Sequence, residues 1–171
     1  MKNITLRALE PEDIDLIYRW ENDPETWVQS AAHAPFSRHA LTEYILDSLQ
    51  SDLYASRQLR LMADDSDTGQ TVGCIDLSAF DPHHQRAEIG MIIDQAQRGK
   101  GYGRPMVEAL IRYCRESLQL HQLHCDIASD NTACLAIYDH CGFVRQGIKK
   151  HWIRTPQGWQ DAVFFQLILS H

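Results

Sequence analysis

Hydrophobic and polar positions along the chain alternate between two periods, and the switches between them predict the elements. Ile4 to Leu9 alternates as a short strand, and Glu10-Pro11-Glu12-Asp13 then reads as a helix start with proline in its first turn. That helix carries Ile14, Ile17, Tyr18 and Trp20 until Asn22-Asp23-Pro24 stops it. A second helix is predicted from near Ser37, where Leu41, Tyr44, Ile45, Leu46 and Leu49 recur at helical spacing. Glu25 to Phe36 between them is expected to be a loop, of a length that often carries function. Strands follow at Gln58 to Ala63 and Thr71 to Ala79, with Asp64-Asp65-Ser66-Asp67-Thr68-Gly69 expected as a solvated hairpin turn. That acidic segment lacks the ligand spacing and terminal glutamate of a calcium loop.

The second half repeats the alternation. Ala87-Glu88-Ile89-Gly90-Met91-Ile92-Ile93-Asp94 reads as a mostly buried strand, in which Gly90 suggests a bulge or a close backbone approach. Met106, Val107, Leu110, Ile111, Cys114 and Leu118 share one face of a helix that must pack on a sheet. Leu120 to Ala128 is predicted as a strand, Asn131 to Cys141 as a short helix ended by Gly142, and Phe143 to Ile148 and Trp159 to Leu169 as closing strands. The order β-α-α-β-β-β-α-β-α-β-β gives a mixed α/β sheet with helices on its faces, and 171 residues suit one domain.

Composition narrows the class only a little. A hydrophobic content of 44% and a charged content of 23% are ordinary for a globular chain. No apolar run approaches the ~18 residues of a membrane span, and the first residues lack a signal-peptide core, so a cytoplasmic protein with no membrane partner is expected. The five cysteines form no C-x-x-C pair and fit packing roles in a reducing compartment. A net charge of −7 argues against a nucleic-acid partner. Between Glu10 and Asp52 ten acids face two bases, which would steer a cationic ligand toward that region or simply solvate helix faces.

The chemistry is concentrated in Gln97-Arg98-Gly99-Lys100-Gly101-Tyr102-Gly103-Arg104, set between a strand and a helix. Alternate glycines let successive amides converge on one anion, the following helix adds its N-terminal amides, and Arg98, Lys100 and Arg104 add charge. The letters fit neither the dinucleotide pattern G-x-G-x-x-G nor a P-loop, which needs Ser or Thr after Gly-Lys. They fit [Q/R]-x-x-G-x-[G/A], with Arg98, Gly101 and Gly103 in the defined positions. Downstream, Asn131, Tyr138, Gly142 and Phe143 fit N-x6-Y-x3-G-F, although Asn131 also suits a helix N-cap and Tyr138 a core aromatic.

Together these two patterns resemble the GNAT (Gcn5-related) N-acetyltransferase superfamily. Leu6 to Asp13, Ala87 to Asp94 and Gly99-Lys100-Gly101-Tyr102 are most similar to the spermidine N-acetyltransferase branch, and much of the pattern is shared with the branch that acetylates ribosomal-protein N-termini. One departure is Gly103, where many polyamine enzymes carry alanine. The resemblance implies a mostly antiparallel sheet with a splayed central strand pair and acetyl-CoA as co-substrate, without a metal. It implies coenzyme contacts from Met91, Ile92, Ile93, Arg98, Gly99, Lys100, Gly101, Tyr102, Gly103, Arg104 and Asn131. Tyr138 would be the general acid for the departing thiolate, with Glu88 as base or as a solvent-facing partner of Arg86.

The acceptor implied is a small primary amine such as a polyamine, with Glu21, Asp23, Glu25 and Glu43 as candidate carboxylates. A protein N-terminus, or a coenzyme-binding sensor without turnover, is the alternative. Related enzymes form dimers or larger rings, so a homo-oligomer is expected. His121-x-x-His124 on a strand points its two rings to opposite faces and gives no metal pair.

Overall fold

A computed structural model describes residues 2–27 and 34–169. Seven strands form one sheet: β1 (Ile4–Ala8), β2 (Leu59–Asp65), β3 (Thr71–Asp81), β4 (Arg86–Ile93), β5 (Gln122–Ala128), β6 (Val144–Thr155) and β7 (Gly158–Ile168). Their spatial order is β1-β2-β3-β4-β5-β7-β6. Every neighbouring pair is antiparallel except β4 and β5. The helices are α1 (Ile14–Glu21), α2 (Pro24–Trp27), α3 (Arg38–Gln50), α4 (Leu53–Ser56), α5 (Gly103–Glu116) and α6 (Thr132–His140).

Strand alternation divides the interior between two faces. On β2 and β3, Leu61, Ala63, Ile75 and Leu77 turn to the face covered by α5 and join Met106, Leu110 and Cys114 in the main core. Their neighbours Met62 and Cys74 turn the other way and pack with Ile17 and Trp20 of α1 and Leu41 and Ile45 of α3. Helices therefore cover both faces, as the resemblance implied. Parallel pairing of β4 and β5 requires a crossover, which α5 supplies.

Three local readings change. The predicted Glu25–Phe36 loop begins inside the short helix α2, and its interior, 28–33, lies outside the described residues. β6 runs on to Thr155, past the expected end at Ile148, because it is an edge strand, mostly exposed, with no buried alternation to read. Asp64 and Asp65, expected in a solvated turn, close β2 instead. Asp65 is 1% exposed and accepts hydrogen bonds from the Tyr102 hydroxyl (2.6 Å) and the Asp67 amide (2.9 Å). Asp64 accepts from Arg7 Nε and Thr71 Oγ1, each at 2.7 Å.

Candidate active site

The parallel pair that α5 makes possible is brief. β4 and β5 pair only where Arg86, Ala87 and Glu88 meet Gln122, Leu123 and His124. Beyond Glu88 the two strands diverge, since β5 stays paired along its whole length with β7 and β4 continues along β3. A wedge opens between them. The Asp94 amide donates to the Val72 carbonyl at 2.9 Å. Amide direction alternates along a strand, so Ile92 and Gly90 also turn their amides to β3, leaving those of Met91 and Ile93 directed into the wedge. Ile92, grouped with them from the sequence, instead packs its side chain toward the α1 and α3 cluster.

Two openings meet at this wedge. One is a groove of about 620 Å³ along the glycine loop, lined by Ile93, Arg98, Gly99, Gly101, Gly103 and Ala133 among others. The other is a cleft of about 580 Å³ lined by Glu21, Arg60, Asp76, Glu88, Asp126 and Tyr138 among others. Met91, Ile92, Asn131 and Cys134 line both.

The glycine loop is built to present backbone. Gly99 and Gly101 hold φ of 73° and 84°, in the left-handed region, with open space where a Cβ would lie. The first α5 hydrogen bond to reach back to the loop runs from the Met106 amide to the Tyr102 carbonyl (3.1 Å). The amides of Gly101 to Arg104 therefore precede the helical ladder, and Pro105 has no amide to add. Asp94 fixes the loop's origin, taking the Ala96 amide at 3.0 Å and the Trp20 indole at 2.8 Å, with Arg19 as its ion-pair partner. Burial works to raise the Asp94 pKa, but these hydrogen bonds outweigh it and hold the carboxyl below its ordinary value.

Side chains of the loop are placed less uniformly than the sequence suggested. Arg98 lines the groove, donates to the Ile93 carbonyl (3.2 Å), and ion-pairs with Glu25 (2.6 Å) and Asp23 (3.4 Å). Arg104 also lines the groove and bonds Glu108 at 2.7 Å. Lys100 is exposed and folds back on Gln97 (3.2 Å), outside the groove lining. The Tyr102 hydroxyl is committed to Asp65, so only its backbone faces the loop's concavity.

The four acids expected to meet an acceptor separate. Glu21 lines the cleft, Asp23 and Glu25 stand at Arg98 on the glycine loop, and Glu43 is exposed and outside the cleft lining. Sequence reading missed Arg60 and Asp76. Arg60 donates through Nε and Nη2 to the two Asp76 oxygens, each at 2.8 Å, and through Nη1 to Glu21 at 2.5 Å. Its guanidinium lies 5.7 Å from the Tyr44 ring. Burial would lower the Arg60 pKa, but Asp76 and its other neighbours push it well above the ordinary value. Strand parity was the available signal, since Arg60 shares a face with buried Met62, and Asp76 with buried Cys74.

Tyr138 is 2% exposed, with Phe143 edge-on at 5.0 Å and Phe165 tilted at 6.1 Å. Burial, then the thiols of Cys125, Cys134 and Cys141, raise its pKa well above that of a phenol in water, so it stays protonated. Asn131 caps α6, its Oδ1 accepting from the Cys134 amide at 3.1 Å, and Gly142 at φ 87° turns the chain into β6. Glu88 is half-buried in the cleft and takes a long hydrogen bond from Ser78 Oγ (3.4 Å). Across the strand pair, His124 has its pKa lowered by burial. Among the described residues, no three His, Cys, Asp or Glu gather as a metal site, and all five cysteines are thiols.

A seven-stranded sheet splayed after three parallel pairs, with a glycine loop and a buried tyrosine at the splay, defines an acyltransferase framework. The acetyltransferase (GNAT) domain family matches residues 3–144, and the chain belongs to that family of N-acetyltransferases. Among its relatives, a spermidine N(1)-acetyltransferase of Vibrio cholerae is 25% identical over 147 residues, covering 84% of this chain and 80% of the relative. A ribosomal protein bS18-alanine N-acetyltransferase of Salmonella typhimurium is 26% identical over 149 residues, covering 86% and 91%. The crystal structure of the Vibrio cholerae spermidine enzyme with CoA and spermine superposes with a TM-score of 0.86 at 24% identity, covering 98% of this chain and 96% of that one.

Proposed function

We propose that the protein transfers an acetyl group from acetyl-CoA to a small cationic amine, a polyamine such as spermidine being the favoured acceptor. The observation that carries this reading is the charge of the cleft that meets the glycine-loop groove at the wedge. Glu21, Asp76, Glu88 and Asp126 bring four carboxylates to its lining, against the guanidinium of Arg60 there and the Lys149 ammonium that pairs with Asp126 from outside it. Such a surplus attracts an ammonium and disfavours an anionic acceptor.

In this reading the groove takes the donor. The amides of Gly101 to Arg104 and the α5 N-terminus suit its pyrophosphate, with Arg98 and Arg104 supplying charge. The Met91 and Ile93 amides serve its pantetheine arm, and one of them polarises the acetyl carbonyl. The acceptor nitrogen enters from the cleft, and Glu88, directly or through a water, removes its proton. The neutral amine attacks the thioester carbon, the C–S bond breaks, Tyr138 gives its proton to the departing thiolate, and the proton shed by the new amide nitrogen restores the phenol. Binding two reactants side by side contributes toward the ~7–11 kcal/mol attainable from proximity.

We take the whole chain as one catalytic unit that works in the cytoplasm as a homo-oligomer, without a nucleic-acid or membrane partner; a dodecameric structure is known for the Vibrio cholerae spermidine enzyme. No helix among the described residues is long and apolar enough to cross a membrane. The test is thiol release from acetyl-CoA against spermidine, spermine, amino acids, aminoglycosides and N-terminal peptides. Polyamines should give the highest kcat/KM, and turnover confined to peptides would replace the small amine with a protein terminus.

A further inference from the structure

The cleft holds a carboxylate with no assigned part in the transfer step. Asp126, on β5, lines it. Its Oδ2 accepts from Lys149 Nζ at 2.6 Å, while its Oδ1 is buried with no hydrogen-bond partner among the described residues. A buried carboxylate oxygen without a donor is costly, and a second donor brought to it is correspondingly favoured. The Lys149 ammonium also lies 4.6 Å from the centre of the Trp152 ring and 5.0 Å from that of Phe164. One carboxylate and two aromatic faces around a single nitrogen are the chemistry that holds an ammonium ion.

The lysine that fills this position stands on an irregular stretch of the sheet. It sits on edge strand β6, where the register with β7 slips between Lys149 and Ile153 and His151 takes a φ of 49°. Its side chain is 34% exposed and is not part of the cleft lining, so its ammonium can turn to solvent without disturbing the interior. Replacing it with another ammonium keeps the charge balance at Asp126 and offers Oδ1 the donor it lacks.

We propose that Asp126, Trp152 and Phe164 form a subsite for the second, non-reacting ammonium of the acceptor, which Lys149 fills until that ammonium displaces it. This deepens the acetyl-transfer reading above and rests on it, and it commits the protein to amines with at least two cationic centres. Lys149 is then a built-in competitor that weak or singly charged amines do not displace.

The test compares spermidine with hexylamine in wild type, Lys149→Met, Lys149→Gln and Asp126→Asn, with thermal melting to confirm folding. Removing the competitor in Lys149→Met should lower KM for spermidine by about fivefold or more. Asp126→Asn should raise it roughly tenfold. Hexylamine should move less than about twofold in each, because it has no second ammonium to place. Equal shifts for both amines, or a raised spermidine KM in Lys149→Met, would overturn the subsite. Should Asp126→Asn not fold, the two lysine variants decide, Lys149→Gln being expected to follow Lys149→Met.

Wild type that turns over neither amine defeats the amine-transfer reading instead. Calorimetric titration of spermidine then still judges the subsite, since tighter binding to Lys149→Met supports it and unchanged binding removes it.

Discussion

The two openings that meet at the wedge are built from different materials. The groove is made of backbone, namely the left-handed glycines, the leading amides of α5 and the outward amides of Met91 and Ile93. The cleft is made of charged side chains drawn from α1, β2, β3, β4 and β5 and balanced against one another across strands. Backbone recognition tolerates changes of side chain and fails when a turn cannot form. Side-chain recognition leaves the turns alone and depends on every partner being present. With the donor in the groove and the acceptor in the cleft, as proposed, a site suited to a fixed coenzyme lies beside one that a few substitutions would redirect.

The sharpest break in this comparison is at the tyrosine in the cleft lining. Tyr138→Phe should lower turnover by ~10²–10⁴ while leaving acetyl-CoA affinity unchanged, read by steady-state kinetics with calorimetric titration. Because burial holds the phenol's pKa above its ordinary value, its ionisation should produce no alkaline fall in kcat below about pH 10. A fall below that pH which disappears in Tyr138→Phe would contradict the arrangement.

Next comes the partner network of the cleft. Arg60→Met leaves Glu21 and Asp76 without their shared cation, and breaking such a buried pair costs about 3–5 kcal/mol. The melting temperature should fall by roughly 6–20 °C, at ~2–4 °C per kcal/mol for a chain of this size. An unchanged melting point would show that the cleft does not depend on its partners.

The groove should respond in the opposite currency. Gly101→Val forces a branched side chain into the left-handed region at a cost of about 1–3 kcal/mol. Apparent KM for acetyl-CoA should rise about tenfold for each 1.4 kcal/mol. The acceptor KM should hold, and a shift in the acceptor KM alone would reverse the assignment of the two regions.

Smaller effects follow. Asp94 joins α1 to the loop, and its carboxyl is held below the ordinary value. Its contribution is complete above the unfolded-state pKa of about 3.9 and is lost as pH falls through the lower folded value. Acid titration followed by tryptophan fluorescence should show this loss below about pH 4, and Asp94→Asn should abolish that phase. Gly103→Ala should do least. The added Cβ lies 2.5 Å from Ile137 Cδ1, a methyl that can yield by a rotamer change costing about 0.5–1.5 kcal/mol.

The same contrast explains how far the sequence could be read. Strand and helix order, the glycine loop, the cap at Asn131 and the turn at Gly142 depend on residues near one another in the chain, and all are present. Arg60 with Asp76, Asp126 with Lys149 and Tyr102 with Asp65 depend on which strands lie side by side and in what register. Local periodicity carries no information on that. It reports only that a charge shares a strand face with buried residues, as Arg60 does with Met62 and Asp76 with Cys74. Arg98 was legible as a cation beside the loop, but not as the partner of Asp23 and Glu25 more than seventy residues earlier.

The wedge also constrains the kinetic order of the reaction. Its groove and cleft are separate mouths that share Met91, Ile92, Asn131 and Cys134 at their meeting point, so with donor and acceptor placed as proposed neither has to leave before the other enters. Cys134, the thiol that lines both openings, has its pKa pushed up to about 11 by burial and is ill suited to carry the acyl group between half-reactions. Two mouths on one wedge favour direct transfer inside a ternary complex, and double-reciprocal plots at several acceptor concentrations should intersect rather than run parallel.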